Sequence, residues 1–140
     1  MVEVIITMND FVPSIKVTFY LSADEFDLDE VTQKIGIIPT IARKKDSFPP
    51  TALACTIWAL SIKEERCKAI CFLFEELLNM LRPKEKLITD ICKDYNIEAS
   101  FEVVIHMQDG DGPEIVLPRE VISFAATINA EIGFDIYCYE

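Results

Sequence analysis

The chain has 140 residues, 51% of them hydrophobic, and a formal net charge of −11. That length makes one domain with room for a real core, and the composition excludes disorder. The charge excludes nucleic acid as a partner, since nothing neutralises a phosphate backbone in bulk; it favours basic partners, or solubility alone.

Residues 2–8 have strand composition, and Asn9, Asp10 and Pro13 read as a turn. Whether this stretch pairs as a fifth strand stays open. The start lacks the basic region of a secretion signal, and no run approaches the ~20 apolar residues of a membrane span. Residues 14–22 alternate. Ile15, Val17, Phe19 and Leu21 point one way, and Lys16, Thr18, Tyr20 and Ser22 the other, as in a half-buried strand.

An acidic stretch follows: Asp24, Glu25, Asp27, Asp29 and Glu30. Asp27 with Glu30 has the offset of a capping box, and carboxylates suit the positive end of a helix dipole. The predicted helix, residues 28–35, puts Leu28, Val31 and Ile35 inward and stops at Gly36. Residues 37–53 read as irregular, because Pro39, Pro49 and Pro50 exclude a regular helix. A connection of that length is often functional. Its Arg43-Lys44-Lys45 is a basic triplet that a solvated loop tip also explains.

Residues 54–62 form a strand candidate, apolar on both faces, with Trp58 as a core anchor whose indole N–H needs one acceptor. The longest periodic stretch comes next, over residues 64–95. Ile70, Leu73, Phe74, Leu77, Leu78 and Leu81 lie on one helical face, and the pattern restarts after Pro83 at Leu87, Ile88, Ile91, Cys92 and Tyr95. Two helices, or one sharply kinked helix, are expected near residues 65–82 and 84–95. Residues 98–107 form a strand with Ala99, Phe101, Val103, Ile105 and Met107 on one face and His106 on the other. Gln108 to Pro113 is a turn; Pro118 opens a helix carrying Val121, Ile122, Ala125 and Ile128. Ile132, Phe134, Ile136 and Cys138 line one face of the last strand.

Five cysteines, no Cys-x-x-Cys and a single histidine argue against a zinc site. Most of the cysteines sit in apolar patterns, so the expectation is free thiols in a reducing cytoplasm. The element order is strand, helix, strand on either side of the central helices. It predicts an α+β domain with a four- or five-stranded, mainly antiparallel sheet. Two βαβ arms in a ferredoxin-like arrangement would carry inserted central helices.

The stretch from Phe19 through Asp24, Glu25, Phe26 and Asp27 to Gly36-Ile37 and Pro39-Thr40 resembles a bacterial family known only as a domain of unknown function (number 4279). Trp58, the leucine-rich helix and Asp135-Ile136-Tyr137 extend the resemblance over about residues 15–139. The family implies a small cytosolic α+β protein with no established activity. Some members sit among toxin–immunity genes, which implies an interaction role. Here residues 1–12 extend past the usual start, and Leu53, Ala54 and Cys55 replace small polar residues before Trp58.

Asp109, Asp111 and Glu114 form an incomplete calcium loop and read as a turn. No catalytic triad or phosphate loop is assembled, so no catalytic, metal or cofactor residues are assigned. Asp24, Glu25 and Asp29 exceed what a short helix needs as caps, and they are the candidate binding residues. The leading expectation is a non-enzymatic binding protein, an immunity-type inhibitor of a basic toxin. The alternatives are a small-molecule binder or enzyme with a pocket under residues 37–53, and a homo-oligomeric module using Tyr20, Tyr137 and Tyr139.

Overall fold

The computed structural model describes residues 12–45 and 55–140. The strand and turn expected over residues 2–10, and the latter part of the proline-rich connection, lie outside them.

Strand β1 (Ser14–Ala23) is the centre of the sheet. It leads to helix α1 (Leu28–Ile35), a short strand β2 (Ile41–Arg43) and strand β3 (Thr56–Glu64). Helix α2 (Cys71–Leu81) runs through a 3-10 turn (Arg82–Lys84) into helix α3 (Glu85–Asp94). Strand β4 (Glu98–Gln108), helix α4 (Arg119–Thr127) and strand β5 (Glu131–Tyr139) complete the chain. The strand order is β2-β3-β1-β4-β5, antiparallel throughout except for the parallel pair β4 and β5. The fold is therefore α+β, with a five-stranded, mostly antiparallel sheet and central helices between two arms.

Within that class the arms lie side by side. In a ferredoxin-like interleaving, each arm's second strand would pair with the first strand of the other arm. Here β3 pairs with β1 and β5 with β4, so each second strand stays beside its own first strand. In the sheet the arms meet where β1 and β4 run antiparallel, Phe19 opposite Phe101 and Val17 opposite Val103.

The helices cover one sheet face. Ile15, Val17, Phe19 and Leu21 are buried there with Trp58, Leu60, Phe101, Val103 and Ile105. From the helices come Leu73, Phe74, Leu77, Leu78, Leu81, Ile88 and Ile91, as their spacing predicts. Phe101 is the hub of an aromatic cluster, 5.2 Å from Phe19, 5.7 Å from Phe74 and 6.4 Å from Phe124 between ring centroids. Such tilted pairs add to the area term.

Four expectations are corrected. Strand β2 lies inside the stretch read as irregular, because residues 40–45 are free of proline and an edge needs pairing on one side only. The central helix begins at Cys71, not near residue 65. The preceding backbone is committed elsewhere: Cys67 N–H donates to Pro13 O, Glu114 N–H to Lys68 O and Ile70 N–H to Glu114 O. On α4, Phe124 takes the inward place assigned to Ile122, which is exposed. Finally, Phe134 and Ile136 share a face with the core strands but lie exposed, one strand beyond the helix layer.

Candidate functional site

Asp24, Glu25 and Asp29 are all exposed. Asp24 leaves the end of β1 with its carbonyl accepting from Thr56 Oγ1 at 3.0 Å, and its carboxylate meets the ammonium of Lys45. Asp27 is the cap of α1: its carboxylate accepts from Glu30 N–H at 3.0 Å. Glu30 was expected to close the box with its side chain. It turns instead to Tyr95, whose hydroxyl donates to it at 2.6 Å, and to Lys34 at 3.2 Å. The Tyr95 hydrogen bond, then that of Lys34, holds the Glu30 carboxyl below its ordinary range. A tyrosine at the end of α3 thus ties that helix to α1.

The antiparallel pairing of β1 and β4 decides which acidic groups meet. Ser22 lies opposite Glu98, so the 24–30 loop and the start of β4 share one end of the sheet. Because β5 is parallel to β4, Glu131 joins them there. Ser14 lies opposite His106, so the 109–114 turn is at the far end, as the opposed directions of these strands predict. In that turn Asp109 and Gly110 both have positive φ, and Asp111 N–H donates to Gln108 O at 2.9 Å. These acids make a turn, and Glu114 pairs by backbone with the segment before α2. No cluster of three or more metal-ligating side chains is found among the described residues.

The acidic end also holds a cavity of about 640 Å³. It lies between the C-termini of α3 and α4, over the beginnings of β4 and β5, and takes no residue from the 37–45 segment. The sequence reading placed a pocket under the proline-rich connection; this one is elsewhere. Its polar wall includes Ser22, Thr89, Asn96, Glu98 and Glu131, and its apolar part includes Cys92, Ile97, Ala99 and Ile128. Burial pushes the Cys92 thiol up to about 11, so the thiol is neutral at physiological pH and a poor nucleophile. The signals missed in the sequence were Asn96 and Asn129, each of which follows a helical pattern where a left-handed residue ends a helix.

On the outer sheet face His106 stacks on Tyr137, centroids 4.9 Å apart, and meets the Tyr139 hydroxyl at 2.9 Å through Nδ1. Both tyrosines are exposed. Hydrogen bonding to Asp135 raises the Tyr137 phenol above its ordinary value.

These features define a small α+β domain with an acidic sheet end, an open cavity in that end and, among the described residues, an edge strand paired on one side only. A family model described as Domain of unknown function (DUF4279) matches residues 13–139, and the chain belongs to that family. No curated protein and no solved structure is significantly similar to it. No helix among the described residues is long and apolar enough to cross a membrane.

Proposed function

We propose that the protein is a non-enzymatic acidic binding protein that takes a basic protein partner, in the manner of an immunity protein holding a basic toxin. The observation that carries this reading is the gathering of Asp24, Glu25, Asp29, Glu98 and Glu131 at one end of the sheet, where Glu98 and Glu131 also line a cavity. Lys34, Arg43, Lys44, Lys45 and Lys93 also lie there, but the whole chain carries −11. Exposed like charges repel one another; a basic partner relieves that repulsion and is steered by it during approach. Five free thiols suit a reducing cytoplasm as the place of action.

The test begins with capture of a partner from the source cell and measures its association rate. Reversing Asp24, Glu25 and Asp29 together to lysine should leave the fold intact, since all three are exposed. Association should slow at low salt, and most of the loss should vanish in 1 M salt, where the Debye length is about 3 Å. Equal rates for parent and variant at low salt would end the reading.

A second reading is favoured by one observation. β5 is an edge strand with Phe134, Ile136, Tyr137 and Tyr139 all exposed. Such an edge can pair with the same strand of a second copy about a two-fold axis.

A further inference from the structure

The outer sheet face carries a small basic pocket at the end opposite the acidic loop. Strand alternation puts Ser14 and Lys16 of β1, Lys63 of β3, and Val104 and His106 of β4 on that face, away from the helices. The register makes them neighbours. Lys16 lies opposite Lys63 on one side and Val104 on the other, and Ser14 lies opposite His106. All five line one cavity of about 140 Å³.

Two lysines directly opposite each other cost the sheet stability, because like charges at that spacing repel. The chain has 24 acidic residues against 13 basic ones, yet the described residues place no carboxylate in this cavity wall. Edge protection does not explain the lysines either. Lysine blunts edge strands, and β1 and β3 each have a strand on both sides. Lys63 has the Glu65 carboxylate at 3.0 Å. Lys16 has no ion-pair or hydrogen-bond partner among the described residues. Glu102 and Asp135 lie on the same face, but neither reaches Lys16, and Asp135 accepts from the Tyr137 hydroxyl at 2.9 Å. His106 completes the set. Its ring is stacked on Tyr137 and its Nδ1 meets the Tyr139 hydroxyl at 2.9 Å, so the imidazole is held in place. The tautomer that accepts from Tyr139 at Nδ1 carries its proton on Nε2, as a donor for an anion.

We propose that this pocket binds a phosphate group, with Lys16 and Lys63 as the charged contacts and Ser14 and His106 as neutral donors. A cavity of this volume has room for about four waters, which suits a single tetrahedral oxyanion. Its several oxygens let one phosphate meet donors from three strands at once, and the ammonium groups make those hydrogen bonds charge-assisted. The pocket lies at the other end of the sheet from Asp24, Glu25 and Asp29, so it does not rest on the basic-partner reading.

Inorganic phosphate is the probe. It is titrated into the full chain at constant ionic strength, with amide shifts as the readout. Saturable shifts are expected at Ser14, Lys16, Lys63 and His106, complete by about 10 mM. Chloride over the same range should not saturate them. The K16Q/K63Q double variant should bind at least about tenfold more weakly, because two charge-assisted contacts are lost. Both lysines are exposed, so the variant should keep the parent spectrum away from the pocket. K16Q alone, expected to bind severalfold more weakly, keeps the test open if the double variant does not fold. Glycerol phosphate identifies the source of the group. Tighter binding than inorganic phosphate assigns the pocket to a phosphate ester, and equal or weaker binding assigns it to the free ion. Absence of saturation by phosphate, equal saturation by chloride, or unchanged affinity in the lysine variants would each overturn the proposal.

Discussion

Trp58 lies wholly inside the core, where an indole N–H without an acceptor costs about 1–3 kcal/mol. Thr32, on α1, supplies the acceptor at 3.0 Å, so one hydroxyl both satisfies the ring and pins the first helix to the sheet. Cys92 shows the opposite case, a titratable group whose burial favours the uncharged form. Its folded value, about 11, stands above its ordinary 9.0. The stability it contributes is fully present below the unfolded value and is lost as pH rises through the folded one. The urea midpoint should therefore fall between pH 9 and pH 11, and it should fall less in Cys92→Ala. Tyr20, raised first by burial and then by Glu102, and Lys34, raised first by Tyr95, act in the same direction. The difference between parent and variant isolates the thiol, and equal slopes would remove it from the account.

At the scale of elements, α2 is held by its buried stripe more than by its ends. It has no side-chain cap, and its last residues run on into the turn at Pro83. Arg82 precedes a proline yet keeps helical angles, φ −56° and ψ −42°, and Pro83 sits at the start of a new helical turn, where its missing N–H costs least. Leu77 is fully buried at the middle of the stripe. Leu77→Ala should cost about 2–5 kcal/mol, because the transfer term and the cavity term add. Chemical denaturation checks it: an unchanged urea midpoint would mean that this face does not hold the helix to the sheet. α1 ends differently, on Gly36 at φ 75°, where a side chain would be strained.

For the molecule as a whole, the side-by-side arms leave β5 at the edge of the sheet among the described residues. Natural edges are blunted by lysine or proline, and β5 contains neither. Its only charges are Glu131 and Asp135. If two copies pair here, they do so against a charge of −11 each, and added salt should strengthen the dimer. That is the reverse of the salt dependence expected for a basic partner. Sedimentation at low and high salt reads the sign. Ile136→Lys should abolish any dimer while moving stability by no more than about 0.5 kcal/mol, the usual effect of an exposed substitution. A parent chain that stays monomeric at high salt would dismiss the paired edge.

The sequence by itself determined every element that has its own period. Alternation in Ile15, Val17, Phe19 and Leu21 made β1, and the spacing from Ile70 to Leu81 made the buried stripe of α2. The bounds of α1 were legible because Asp27 and Gly36 mark them chemically. Local pattern cannot say which strands are neighbours, and that choice decided the rest. Pairing β5 with β4 exposed Phe134 and Ile136, although they alternate as a core face should, because the helix layer ends one strand short of them. The same pairing brought two distant Asn-x-Glu junctions together and opened the cavity between them. Strand order is a matter of long-range packing, so the acidic end and its cavity belong to the tertiary structure, and only the carboxylates that charge them belong to the sequence.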